Sequence, residues 1–226
     1  MRNVFAILVS CFLVMPSAAA LAQDKSGTDV PAASPQTRTP AASPQTLPSA
    51  AAPQAVSLPD KTLAEKRADR LNELFSALKR ERNEMKATRI AEQIQTQWQN
   101  SGSASIDLMM QWAAGAMAEK KYSVALDFLD QVTVMKPDFA EGWNRRATVN
   151  FLMNDYGRSM ADIQKTLSLE PRHFGALAGL AAILKDTGKK EAALHAFEQV
   201  LNVYPMMREA QKQAGELADD LAGQRT

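Results

Sequence analysis

Cysteine is almost absent: Cys11 is the only one in 226 residues. It lies in an N-terminal stretch built like a secretory signal. Arg2 gives a positive start, Val4 to Met15 is an apolar run, and Ala20-Leu21-Ala22 is a small-x-small site. Cleavage between Ala22 and Gln23 removes Cys11, which excludes disulfides, cysteine metal sites and thiol catalysis from the mature chain. Leu8-Val9-Ser10-Cys11 matches a lipoprotein cleavage box in wording, yet the residues after Cys11 stay apolar, unlike a mature lipoprotein start. The expected location is therefore the periplasm. Histidine is nearly as scarce. His173 and His195 lack the i, i+4 partner of a zinc-binding helix, so no metal or other cofactor is expected. His173, two residues after Pro171, reads as an ordinary turn histidine. No glycine-rich phosphate loop occurs; Gly175 and Gly179 fall inside a helical pattern. Neither sign of charge dominates, with 26 basic against 25 acidic residues, which argues against a nucleic-acid partner. Lys79-Arg80-Glu81-Arg82 alternates in sign and reads as a solvated helix end. The run from Val4 to Met15 falls short of the roughly 20 apolar residues that cross a membrane, so the mature chain is expected to have no span. Asp127 with Asp130, and Glu191 with Glu198, are acidic pairs of the kind helix surfaces commonly show. No catalytic residues are expected, and the chain does not read as an enzyme.

What is present begins with a spacer. Residues 23–59 are rich in Pro, Ala, Ser, Gln and Thr, and Pro31-Ala32-Ala33-Ser34-Pro35-Gln36-Thr37 returns as Pro40 to Thr46. Such a segment has too little apolar area to offset its ordering entropy, so it is expected to be a disordered, semi-stiff tether.

Beyond it, Pro137, Pro171 and Pro205 stand 34 residues apart, twice over. Setting windows at 106–139, 140–173 and 174–207 brings other columns into line. Position 8 holds Ala113, Ala147 and Ala181, and position 20 holds Ala125, Ser159 and Ala193. Small residues belong where two helices cross closely. Positions 24, 27 and 30 carry Leu129, Val132, Met135; Ile163, Thr166, Leu169; and Phe197, Val200, Val203, an apolar stripe on each second helix. Each proline ends a second helix. A helix pair ahead of these, within 60–105, follows from the spacing of Leu71, Leu74, Phe75, Leu78 and of Ile90, Ile94, Trp98. It reads as degenerate or capping, because Lys79 falls on position 8 if the register is carried back. Ser105 or Asp107 is the expected cap of the next helix. Residues 208–226 read as a capping helix and tail, with Ala210, Ala214, Leu217 and Leu221 facing inward.

These columns resemble the tetratricopeptide repeat (TPR), whose length is 34 residues. The middle window matches best, with Trp143, Ala147, Asp155-Tyr156, Leu167 and Pro171; Arg146 departs from it, standing where the family prefers Leu. The resemblance implies an all-α, right-handed TPR solenoid whose first helices line a concave groove. Met110, Ala114, Met117, Asn144, Arg145, Thr148, Phe151, Leu152 and Lys185 are the groove positions that it implies, a mostly small and apolar set suited to an apolar peptide or helix. A carboxylate clamp for acidic C-termini needs Lys and Asn where this chain has Met110 and Ala114, so that mode is not expected. The stretches Phe139 to Ala147 and Glu170 to Leu177 resemble exported TPR proteins of alphaproteobacteria. That resemblance implies a scaffold or adaptor that supports cell-envelope integrity through a protein partner. The alternative is an accessory subunit of an envelope enzyme or of an outer-membrane assembly complex.

Overall fold

The structure, a computed structural model, describes residues 62–223. The signal segment, the Ala22–Gln23 junction and the spacer lie outside them. The described residues hold nine helices and no strand. α1 (Leu63–Arg80) and α2 (Glu84–Gln99) precede the repeats. α3 (Ala104–Ala118) pairs with α4 (Tyr122–Met135), α5 (Ala140–Leu152) with α6 (Tyr156–Leu169), and α7 (Phe174–Asp186) with α8 (Lys190–Val203). α9 (Arg208–Gly223) closes the series. The fold is the all-α repeat stack that the columns predict: helices of a pair pack together, then α4 on α5, α6 on α7 and α8 on α9.

The period is written in the backbone as well as in the side chains. Lys120, Asn154 and Gly188 occupy the same repeat position, and all three are left-handed, with φ of 58°, 61° and 77°. The following N–H reaches back to a carbonyl five residues earlier: Lys121 to Ala116, Asp155 to Asn150, Lys189 to Leu184, each within 2.8–2.9 Å. This helix-ending motif satisfies carbonyls left over by the first helix and turns the chain into the second. Only the third repeat supplies glycine there, so composition conceals the shared geometry.

The small-residue columns are sealed from solvent in all three repeats. Ser159 adds a bond of its own, its Oγ donating to the Ala147 carbonyl at 2.8 Å. Leu129, Ile163 and Phe197 are buried, as are Val132, Thr166 and Val200. Between repeats the approach is tight at Gly142, where a Cβ would stand 2.7 Å from Val132 Cγ1. Two expectations need correction. Met135 is 60% exposed, whereas Leu169 and Val203 in the same column are half-buried; Val203 packs against the cluster that includes α1 and α2. The N-cap of α3 is Ser103, not Ser105 or Asp107. Asp107 instead accepts the Ser101 N–H at 2.9 Å and ties the preceding turn to the helix.

The pair ahead of the repeats does not stack on the first of them. Its helix contacts run to α8 and α5. Its side chains meet the turns between repeats: Arg208 Nε donates to Glu84 at 2.8 Å, and the Thr88 and Tyr204 hydroxyls lie 3.2 Å apart. Arg172 donates to Asn72 at 2.9 Å while its guanidinium sits 4.2 Å from the Phe75 ring centre. Trp98 stacks on His173, ring centres 4.0 Å apart, and touches Phe174. Ala87, Ala91, Ile94 and Trp98 form one face of α2, every member buried. This face runs as a brace along the edge where α6 turns into α7 and α8 into α9. Lys79, at a position that is small and buried in the three repeats, is exposed here.

Candidate partner-binding groove

The groove positions come from α3, α5 and α7, and they divide by burial. Met110 and Met117 sit in the core formed with Ala125, Leu129 and Val149, and Phe151 sits in the core formed with Ile163 and Ile183. Thr148 is buried as well, its hydroxyl donating to the Asn144 carbonyl at 2.9 Å. Ala114, Asn144, Arg145, Leu152 and Lys185 are half-buried, and Gln111 and Ala118 are exposed. The accessible members of the set are therefore Gln111, Ala114, Ala118 and Leu152, while the methionines and Phe151 are in the core.

The polar members already have partners. Arg145 Nε donates to Glu141 Oε1 at 2.7 Å, and Asn144 donates to Glu141 Oε2 at 3.0 Å. Lys185 reaches α9, bonding Gln213 and lying 3.7 Å from Glu216. The charged members of this set are thus partnered within the fold.

Glu141 is the centre of the polar arrangement. It is buried at the start of α5, and His173 Nε2 lies 3.2 Å from Oε2. His173 Nδ1 accepts the Ala176 N–H and caps α7, so in the neutral ring the proton sits on Nε2 and is donated to Glu141. His173 is not the ordinary turn residue its sequence context suggests; it is 2% exposed, under the Trp98 ring. A signal was available, because its repeat column also holds Phe139 and Met207, both buried. Burial alone would raise the Glu141 carboxyl. The Arg145 charge and the hydrogen bonds from His173 and Arg145 outweigh it and hold the group at about 2, against an ordinary 4.5. A carboxyl depressed on folding contributes stability that is present above its unfolded value and lost as pH falls through the folded one. The thermal midpoint should hold steady from neutrality to about pH 5, then fall between about pH 4.5 and 2, by on the order of 3 kcal/mol from this group. Glu141→Gln should flatten that segment of the curve.

A second polar centre lies between α4, α5 and α6. Arg146 grips the buried Asp162 through two bonds, of 2.7 and 3.0 Å, and reaches Asp130 and Thr133 on α4. Among the described residues no group of three His, Cys, Asp or Glu is placed to hold a metal, and no helix is long and apolar enough to cross a membrane.

No family model matches the chain. A TPR repeat-containing protein of Rhizobium etli is 55% identical over 157 residues, covering 70% of this chain and 77% of that protein. The chain belongs to the TPR family. A small glutamine-rich TPR protein of Saccharomyces cerevisiae is 29% identical over 97 residues, 43% of this chain and 28% of its own length. Among solved structures, the first TPR of Spaghetti, bound to an HSP90 peptide, superposes with a TM-score of 0.50 at 20% identity, over 52% of this chain and 93% of that one. The likeness confirms the repeat fold.

Proposed function

We propose that the protein is a non-catalytic scaffold, exported to the periplasm, that supports the cell envelope by binding an apolar peptide or helix of a protein partner in its concave face. The observation that carries this reading is the floor of the groove. Gln111, Ala114, Ala118 and Leu152 remain accessible, while Glu141, Asn144, Arg145 and Lys185 are satisfied within the fold. Small accessible residues over a methionine-lined core suit an apolar chain segment. An acidic peptide is a poor fit, because Met110 and Ala114 offer no cation and Arg145 is committed to Glu141. The signal-like N-terminus supports export, and the Pro/Ala/Ser-rich stretch supports a tethered arrangement.

The test is photo-crosslinking in intact cells, with the reactive group placed at Ala114 or, as a control, at the exposed Glu198 on α8. One dominant envelope protein should be captured from Ala114 in the osmotic-shock fraction. Ala118→Arg, which puts a long cation over the floor without touching the core, should reduce that capture at least tenfold. Equal capture from Glu198, or capture untouched by Ala118→Arg, counts against the groove. A chain retained in the cytoplasm with no processing at Ala22 counts against export.

A further inference from the structure

Because α1 and α2 brace the turn edge, no described helix stacks on the first repeat as a solenoid neighbour normally does. In the second and third repeats, the residues facing the preceding repeat include Gly142 and Ala176, and both are buried against it. The corresponding face of the first repeat is open. Leu108 is 42% exposed, Trp112 50% and Val124 41%, with Phe128 half-buried beside Trp112, ring centres 5.4 Å apart. The opposite end is different: α9 turns Lys212, Glu216, Asp219 and Asp220 outward, a polar cap of the kind terminal repeats need.

The open face has a knob and a hole. Trp112 borders a cleft of about 480 Å³ that Gly115, Ala116, Val124 and Phe128 help to line. A Cβ at Gly115 would meet nothing within 4 Å. We propose that this face binds the same face of a second copy of the chain, the Trp112 of each protomer entering the Gly115 cleft of the other about a twofold axis. Self-complementarity is what such an interface requires, and knob and hole lie on one patch. The rim does not oppose it, because Lys121 and Glu119 already neutralise each other at 2.6 Å. The size is adequate. Two helices, of 15 and 14 residues, present a face roughly 20 Å square, and joining two such faces buries on the order of 1,000 Å², the lower range for specific association. The proposal goes beyond the groove reading: Trp112 and Gly115 are not groove positions, and Gln111 alone borders both surfaces.

Sedimentation of the full chain over a range of concentrations tests it. The weight-average mass should rise toward twice that of one chain and fall again on dilution. Trp112→Glu should hold the chain at the mass of one copy. Gly115→Arg should do the same while keeping the helix, because it replaces a helical glycine next to open space. Asp219→Lys, on the outer side of α9, should dimerise like the parent. The proposal is overturned if the parent chain is monomeric at every concentration, which would leave the face to another partner. It is also overturned if dimers survive both Trp112→Glu and Gly115→Arg, or if Asp219→Lys alone abolishes them.

Discussion

Arg146→Leu is expected to destabilise the protein by about 3–5 kcal/mol, although leucine is what the repeat pattern prefers at that position. The reason is Asp162. Its carboxylate is 5% exposed and takes two bonds from the Arg146 guanidinium, with a third from Asn150 at 3.1 Å. Leucine would leave that carboxylate buried without its counter-charge. The pair itself need contribute little, because the attraction is largely spent on desolvating both groups. Arg146→Leu combined with Asp162→Ala should therefore recover most of the loss and finish within about 2 kcal/mol of the parent, or above it. Alanine is already the residue at the matching position of the third repeat, Ala196, where it is fully packed. Asp130→Asn should cost under about 1 kcal/mol, since that carboxylate is 58% exposed and its pairing is screened. Urea midpoints at constant slope give these three values, and Asp162→Ala alone supplies the fourth that the comparison needs. Additive losses for Arg146 and Asp162 would mean that the two side chains act independently, contrary to their geometry.

The same comparison shows which parts of the structure the sequence made legible. The repeat length, the small columns and the buried stripes are local consequences of helix geometry, so they recur at fixed spacing and can be aligned by eye. The left-handed turn position recurs as strictly, but a lysine and an asparagine fill it in two repeats, so only φ reveals it. The course of α1 and α2 was hidden for a different reason. An amphipathic pair announces that it has a face to bury and says nothing about where. The spacing of Ala87, Ala91, Ile94 and Trp98 fits a neighbour in the stack as well as a brace across the turns. The contacts that decide between them join residues more than a hundred positions apart, such as Thr88 with Tyr204 and Glu84 with Arg208. The groove was legible only as a set of positions. Met110, Met117 and Phe151, read from the sequence as groove positions, are members of the buried core. Glu141 and Asn144 were visible as polar residues, but His173, the third member of their arrangement, lies 32 positions beyond Glu141 at the end of the same window.

Trp98→Ala should destabilise the chain by about 3–5 kcal/mol, whereas Trp98→Phe should leave it within about 1 kcal/mol of the parent or make it more stable. Trp98 is the point at which the brace meets the repeats. Its ring stacks on His173 and packs against Phe75 and Phe174, and only 8% of the residue is exposed. Alanine removes the whole ring and opens a cavity above the His173–Glu141 pair. Phenylalanine keeps most of the contact and deletes an indole N–H that is buried with no hydrogen-bond partner among the described residues. An orphaned donor costs roughly 1–3 kcal/mol, so its loss offsets the smaller ring. The two variants also differ in where the damage shows. The brace reaches the repeats through the turns before α7 and α9, so in Trp98→Ala the amides at the starts of those helices should exchange faster with solvent. The amides of α3 and α4 should be unchanged, because their core of Ile106, Leu129 and Val132 is separate from the cluster that holds Trp98. Faster exchange spread evenly over all the repeats would mean that Trp98 supports global stability alone. A loss confined to α7 and α9 would show that α1 and α2 fix the angle between the last repeat and its cap.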